Sequence, residues 1–261
     1  MSYQFIDVQR ADAVATVTLN RPEAMNALNT GLMEEIEQVS RSFLDDEGTR
    51  VVIFRGAGKH FSAGADLKQR QAGETSLLVR RRQAGLGARM IRAITEINQV
   101  TIAAVHGAAL GGAACIATAC DFRIGSDDCF CGYPEVNLGI NLMWRSLPLC
   151  VRLIGPARAK RMIMLGKHED AQTLLAWGFL DEVVPRDGLD DAALAMAKDY
   201  AGQPPIAVQM IKQSINAVSS AMDDAIMHMD TDQNILTAMT EDRNEGIKAF
   251  FEKRDPDFKG N

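Results

Sequence analysis

Short apolar segments alternate with longer amphipathic segments along the first 125 residues, and this alternation restricts the fold more than any other feature. Strands are predicted at residues 14–19, 51–54, 102–105 and 121–125. Between them, apolar residues recur at helical spacing through residues 28–43 and 78–97, and a further helix is expected to open at residues 107–112. Because strands alternate with helices and glycine-containing loops separate them, the sequence predicts an α/β architecture.

From residue 157 onward the pattern is predominantly helical. Helices are predicted at residues 157–165, 171–177, 189–200, 206–218 and 221–239. The pair Pro204-Pro205 interrupts this series and marks the predicted boundary. We therefore divide the chain into a core of residues 1–203 and a helical C-terminal region of residues 204–261.

Composition excludes several classes of protein. The net charge of −6 argues against binding to nucleic acid, which usually requires a basic surface. No apolar segment reaches the length of a membrane span, and the N-terminus has no basic stretch followed by an apolar one, so neither membrane insertion nor a signal peptide is predicted. The five cysteines form no C-x-x-C pair and the four histidines lack ligand spacing, which predicts reduced thiols, no metal site and a cytoplasmic location.

Two turns rich in small residues follow two of the predicted strands. Residues 60–67 (HFSAGADL) follow the strand at 51–54, and residues 106–114 (HGAALGGAA) follow the strand at 102–105. Such turns let backbone N–H groups point at a ligand oxygen, and two of them side by side could hold a developing oxyanion. Close packing of a helix on a strand also requires small residues, so the spacing alone leaves both interpretations open.

Five segments, in order along the chain, carry a family resemblance. They are residues 19–28 (LNRPEAMNAL), 61–67 (FSAGADL), 109–112 (ALGG) with Cys120-Asp121, 133–135 (YPE), and 241–254 (EDRNEGIKAFFEKR). As an ordered set they resemble the crotonase (enoyl-CoA hydratase/isomerase) superfamily. The resemblance implies a spiral core of β-β-α units with a helical C-terminal trimerisation region, and assembly as a homotrimer or a dimer of trimers. It also implies an acyl-CoA thioester substrate, so that coenzyme A is part of the substrate and no separate cofactor is expected.

The same resemblance implies roles for individual residues. The thioester carbonyl would lie between the backbone N–H groups of Ala63 and Gly112. The substrate would also contact Ala24, Ala63, Gly64, Ala65, Asp66, Leu67, Gly111 and Gly112. For Asp66 a second interpretation is open, since its carboxylate could cap a following helix.

The candidate catalytic residues depart from the pattern of the family's hydratases. Those enzymes commonly carry two glutamates, one three residues after the oxyanion-hole glycine and one in the later Pro-Glu segment. Here the first position is Cys115 and the second is Glu135. A thiol is a weak base unless its pKa is lowered, so Glu135 is predicted as the main acid/base group, with Cys115 as a second candidate.

This departure leaves the reaction open. A single carboxylate favours isomerisation of an enoyl-CoA, in which one group carries a proton between carbons, whereas hydration requires that Cys115 or a backbone group positions water. A crotonase-fold hydrolase or decarboxylase that uses Cys115, His60 or His106 is the first alternative. A non-catalytic protein that binds CoA esters is the second.

Trp144 lies where many members of the family have a glycine-rich turn. It is predicted to contact the substrate and to reshape the acyl pocket, and packing in the protein core is the other interpretation.

Overall fold

The structure is a computed structural model that describes residues 3–68 and 76–261. Its strands are β1 (Ile6–Ala11), β2 (Val14–Leu19), β3 (Val51–Gly56), β4 (Val100–Val105), β5 (Ala108–Leu110), β6 (Phe122–Ser126), β7 (Phe130–Gly132), β8 (His168–Asp170) and β9 (Glu182–Val184). Its helices are α1 (Thr30–Ser42), α2 (Leu77–Thr95), α3 (Gly112–Ala119), α4 (Ser146–Met164), α5 (Ala171–Trp177), α6 (Leu189–Ala201), α7 (Pro205–Ser219), α8 (Asp223–Met227), α9 (Asp230–Thr237) and α10 (Glu241–Glu252).

Two sheets organise these elements. The larger sheet has the order β1-β2-β3-β4-β6-β9 and is parallel except for the pairing of β1 with β2. The smaller sheet has the order β5-β7-β8, with β5 parallel to β7. Helices accompany both sheets, and the predicted α/β class is confirmed.

Burial on both faces explains the continuous apolar run in β3. Val52 and Phe54 belong to a core shared with α1 and α2, whereas Val51 and Ile53 belong to a second core shared with α6. A strand covered on both faces has no solvent side, so it needs no polar alternation. The run at 51–54 is therefore a central strand of the sheet.

The turn after β4 differs from the prediction. We expected a helix to open at residues 107–112, but the short strand β5 intervenes and α3 begins only at Gly112. The backbone is held in this strand because Phe130 donates to the Gly107 carbonyl and Gly111 donates to the Gly132 carbonyl, each at 2.9 Å. Pairing with β7, which is distant in sequence, thus decides a conformation that the local pattern leaves open.

The second half of the chain also departs from the prediction in detail. It contains the three-residue strands β8 and β9, which are too short to produce a periodic pattern. The helix predicted at 221–239 is split into α8 and α9. Helix α7 begins at Pro205, and the assignment of residues 204–261 to assembly stays a prediction. No helix in the described part of the chain is long and apolar enough to cross a membrane.

Candidate active site

Asn26 organises the loop that precedes the site, although the sequence analysis did not single it out. It is fully buried, with φ of +53°. Its Oδ1 accepts the N–H of Arg21 at 2.8 Å, and its Nδ2 donates to the carbonyls of Ala57 and His60 at 2.8 and 2.9 Å. The Ser62 hydroxyl donates to the Asn26 carbonyl at 2.8 Å. An asparagine in a turn tolerates the left-handed conformation, and this is the signal that could have identified it.

The segment from Ser62 to Ala65 forms β-bridges with two other segments, one at each of its ends. Ser62 pairs with Ala109: its N–H donates to the Ala108 carbonyl at 3.0 Å, and its carbonyl accepts from Leu110 at 3.2 Å. Three residues later Ala65 pairs with Leu28, which donates to the Gly64 carbonyl at 2.8 Å and accepts from Asp66 at 3.1 Å. The segment is therefore fixed on both sides.

This pairing contradicts the predicted role of Ala63 as an oxyanion donor. The N–H of Ala63 already donates to the Met25 carbonyl at 2.9 Å. The bridge to Leu28 uses the carbonyl of Gly64 and the N–H of Asp66, so the N–H of Ala65, between them, faces away from Leu28. This N–H has no hydrogen-bond acceptor among the residues that the structure describes. The available donor in this turn is Ala65.

Gly64 brings this turn against the start of α3. Its φ is +84°, and a Cβ placed on it would lie 3.4 Å from the nitrogen of Gly112 and would overlap the Leu110 carbonyl oxygen. Only glycine combines this conformation with so close an approach. Gly112 is the first residue of α3, where N–H groups have no partner within the helix. The N–H groups of Ala65 and Gly112 thus lie on adjoining segments.

Glu135 faces the same region from the other sheet. It lies in a 3₁₀ turn, Pro134–Leu138, that follows β7. Its Oε1 lies 2.9 Å from the position that a Cβ on Gly111 would occupy. Its Oε2 is buried and has no hydrogen-bond partner in the part of the chain that the structure describes. Burial raises the pKa of this carboxyl group from 4.5 to about 7. Glu135 can therefore both accept and return a proton near neutral pH.

Burial of Glu135 makes a prediction about stability. Because its pKa is higher in the folded state than in the unfolded chain, the folded state binds more protons between the two values, and stability falls as the pH rises from about 4.5 to about 7. Glu135→Gln does not carry this charge. Its stability relative to the parent should increase by about 2–3 kcal/mol between about pH 5 and pH 8.

Urea unfolding of both proteins at the two pH values measures this difference. Glu182→Gln, at an exposed position of β9, is the control and should follow the parent at both. Equal stability differences between Glu135→Gln and the parent at the two pH values would contradict the prediction.

Cys115 lies beside Glu135 but is suited to a different role. It is buried in α3, and burial together with the negative charge of Glu135 raises the pKa of its thiol well above the usual value, although a hydrogen bond with Ser146 opposes the shift. A thiol in this state remains protonated at neutral pH, which disfavours Cys115 as a base or a thiolate nucleophile.

The two histidines of the hydrolase alternative have other environments. The Nδ1 of His60 accepts the N–H of Ala108 at 3.1 Å. His106 is buried, and burial and nearby arginines lower its pKa to about 4, so it is neutral at physiological pH. Neither histidine makes a hydrogen bond with Cys115 or Glu135 among the described contacts.

Trp144 packs against the start of α3 and is buried. A Cβ on Gly112 would overlap its indole ring, and so would a Cβ on Gly87 of α2. The indole therefore occupies a slot between α2 and α3 that two glycines leave open. This placement agrees with both interpretations made from the sequence, since the ring is in the core and also borders the site.

Ala24, Asp66 and Leu67 line the outer rim of this region. Ala24 ends a 3₁₀ turn, and Leu67 is exposed. Asp66 forms an ion pair with Arg21 at 3.1 Å, and its Oδ1 accepts the N–H of Lys68 at 3.1 Å. These contacts hold the loop in place. Asp66 does not cap the next described helix, because Ser76 is the N-cap residue of α2 and its hydroxyl accepts the N–H of Val79 at 3.4 Å.

Comparison with known proteins identifies the family. The sequence profile of the family described as Enoyl-CoA hydratase/isomerase matches residues 9–261. The chain belongs to this family. It is therefore an acyl-CoA enzyme of the enoyl-CoA hydratase/isomerase type, and the resemblance to the crotonase superfamily is confirmed.

Individual relatives match the enzyme over nearly its full length. A short-chain-enoyl-CoA hydratase of Clostridium acetobutylicum is 33% identical over 255 residues, which is 97% of each chain. A crotonyl-CoA hydratase of Syntrophomonas wolfei is 33% identical and covers 99% of each chain. The crystal structure of an enoyl-CoA hydratase from Mycobacterium avium subsp. paratuberculosis has a TM-score of 0.89 at 27% identity and covers 99% of the enzyme and 100% of that chain. The crotonase fold is thereby confirmed.

Proposed function

We propose that the enzyme moves a proton between carbon atoms of an enoyl-CoA thioester, with Glu135 as its single acid/base group. The thioester carbonyl oxygen accepts hydrogen bonds from the N–H groups of Ala65 and Gly112. The observation that carries the proposal is the buried Oε2 of Glu135, which has no hydrogen-bond partner among the described residues. Burial raises the pKa of this carboxyl group to about 7. An unpartnered carboxylate tuned to neutral pH is what reversible proton transfer requires.

The two N–H donors make the proton on the α-carbon easier to remove. When they bind the carbonyl oxygen, negative charge that leaves the α-carbon is stabilised on that oxygen as an enolate. Glu135 then takes a proton from the α-carbon of a 3-enoyl-CoA and returns it to the γ-carbon, which leaves the double bond conjugated with the carbonyl. No electron or proton is lost, and the carboxylate is regenerated.

Hydration of a 2-enoyl-CoA is the second candidate, and the names of the relatives favour it. In this reaction Glu135 takes a proton from water as the oxygen adds to the β-carbon, and the same carboxyl group delivers that proton to the α-carbon. Cys115 then contributes at most a hydrogen bond to the water, because its thiol remains protonated.

Coenzyme A enters this proposal as part of the substrate and not as a separate cofactor. Its pantetheine chain passes along Ala24 and the segment from Ala63 to Leu67, the partly exposed rim of the site. Hydrogen bonds within the protein already hold this rim in place, so its contacts with the pantetheine chain do not depend on the acyl group.

Incubation with 2-enoyl-CoA and 3-enoyl-CoA esters of equal chain length, followed by mass spectrometry, tests the proposal. Isomerisation leaves the mass unchanged and is detected by chromatographic separation of the 2-enoyl-CoA from the 3-enoyl-CoA ester. In heavy water it places deuterium in the product wherever the proton on Glu135 exchanges with solvent before it is returned. Hydration adds one water. Release of free CoA would support the hydrolase alternative, and loss of carbon dioxide would support a decarboxylase. Absence of any product would contradict the proposed function.

Association of several copies through α7 is also part of the proposal. None of its residues is buried against its own chain, and Ile206, Ile211, Ile215 and Val218 are all more than half exposed. So large an apolar surface on one helix is typical of a subunit interface. The family resemblance makes a homotrimer or a dimer of trimers the expected assembly.

Sedimentation velocity tests the assembly. The parent is expected to sediment as a trimer or hexamer, and Ile215→Asp should shift it towards smaller species because a charge in an apolar interface is costly. Leu44→Asp, a similar change at an exposed position outside the helical region, is the control. A monomeric parent would contradict the proposed assembly.

A further inference from the structure

The turn that carries Trp144 is strained. Trp144 and Arg145 are consecutive non-glycine residues with φ of +66° and +60°. Such conformations are disfavoured for side chains of this size, and they persist only where surrounding contacts enforce them. The contacts of residues 141–145 with the rest of the protein must therefore stabilise this turn.

Helix α9 supplies those contacts. Asp230, which is 3% exposed, accepts the N–H of Arg145 on its Oδ2 at 2.6 Å. Asn234, one turn later, donates from its Nδ2 to the Asn141 carbonyl at 3.1 Å. Helix α9 thus holds residues 141–145 at two points.

Helix α9 is in turn tied to α2. Arg81 forms a two-pronged ion pair with Asp232, with contacts of 2.5 and 2.9 Å. The turn therefore rests on a support that spans α9 and α2, and α2 also carries Gly87, one side of the slot that receives the indole.

The indole ring of Trp144 lies next to the proposed binding site of the thioester carbonyl. The position of a Cβ on Gly112 would lie 2.8 Å from Cη2 of Trp144, and Gly112 supplies one of the two proposed carbonyl donors. Glu135 lies against the neighbouring Gly111. The acyl carbons must reach both Glu135 and the carbonyl donors, so on the Gly112 side they meet the face or edge of the indole.

We propose that Trp144, held in its strained conformation by Asp230, closes the acyl pocket and restricts the enzyme to short acyl groups. This inference rests on the proposed function. Without the ring, the space between α2 and α3 would continue from the site and would admit further methylene groups. Asp230 is a positioning residue here, and it acts only through the turn.

Binding of saturated acyl-CoA esters measures the pocket without any chemistry. In the parent, affinity should level off or decrease as the acyl chain is lengthened from butyryl-CoA to decanoyl-CoA. In Trp144→Ala it should rise by about fourfold for each of the first added methylene groups, since each is now removed from water. Trp177→Ala is the matched control, because Trp177 packs beneath Arg158 and Arg161, and it should keep the parent profile.

A steady rise in the parent through decanoyl-CoA would overturn the proposal, and so would a Trp144→Ala profile identical to that of the parent. If Trp144→Ala does not fold, as judged by circular dichroism, Trp144→Phe takes its place and must shift the preference in the same direction. If the parent converts enoyl-CoA esters but Trp144→Ala binds acyl chains with the same length preference as the parent, only the role of Trp144 is refuted. If the parent shows a length limit in binding but converts no enoyl-CoA ester, only the proposed reaction is refuted.

Variants of Asp230 test whether its contact with Arg145 positions Trp144. Asp230→Ala should weaken the length limit in the same direction as Trp144→Ala, whereas Asp230→Asn keeps an acceptor for the Arg145 N–H and should restore the parent profile. The fluorescence of Trp144, read in a Trp177→Phe background, should change on binding of butyryl-CoA. A parent profile in Asp230→Ala would show that the turn does not depend on this contact.

Discussion

Glu135→Gln is expected to lower kcat by about 10²–10⁴-fold on every enoyl-CoA that the parent converts. The amide keeps the size of the carboxyl group but can neither take the α-proton nor return it. Binding of butyryl-CoA should remain within a few-fold of the parent, because the carbonyl donors and the rim are untouched. Since the ionised carboxylate is the active base, parent activity should also fall as the pH is lowered through about 7.

Exchange of the α-protons of butyryl-CoA with heavy water isolates the step assigned to Glu135. The parent should catalyse this exchange, and Glu135→Gln should not. Glu182→Gln, at an exposed position on β9, is the control and should retain parent activity. If Glu135→Gln kept rates near those of the parent, another group would have to be the acid/base.

Gly112→Ala is expected to cause a second large loss, through the oxyanion site. An added Cβ would overlap the ring of Trp144 and lie 2.9 Å from Cδ1 of Leu28, so the backbone at the start of α3 must move. Displacing one oxyanion donor should lower kcat by about 10²–10³-fold. Overpacking of the buried site should also cost about 1–3 kcal/mol of stability.

Gly85→Ala provides the matched control. Gly85 also lies in a helix, but a Cβ there meets only Nη1 of Arg89 at 3.9 Å, so activity should be unchanged and stability should rise slightly. In the double variant Gly112→Ala/Trp144→Leu the smaller side chain makes room, and stability should recover at least in part. If Gly112→Ala retained full activity, the carbonyl would have to bind elsewhere.

Elements with a strong periodic pattern could be predicted from the sequence. The central strands β3 and β4 and the helices α1, α2 and α6 lie close to their expected positions, because their burial depends on an apolar pattern that is visible locally. The strands β5 and β7 could not be predicted, since each is three residues long and exists through its pairing with the other. The C-terminal helix expected at 221–239 is divided into α8 and α9, and the first residue of α9, Asp230, accepts the N–H of the distant Arg145.

The candidate site shows the same division. The small-residue turns and Glu135 could be identified as chemical candidates, because residue type and order carry that information and the family resemblance adds to it. The residue whose N–H binds the carbonyl oxygen could not be identified from the sequence, since Ala63 and Ala65 are the same residue type in one turn. Hydrogen bonding to Met25 and Leu28 distinguishes them, and those contacts exist only in the folded chain.

Sequence alone thus established the fold class, the family and the loss of the first glutamate, because each depends on residue identity and local order. Tertiary structure decided which N–H groups are available, how deeply Glu135 is buried and where Trp144 lies. The physical reason is that hydrogen-bond availability, desolvation and packing arise between segments that are distant along the chain. Asp230 and Arg145 are 85 residues apart, yet their contact shapes the pocket beside Gly112.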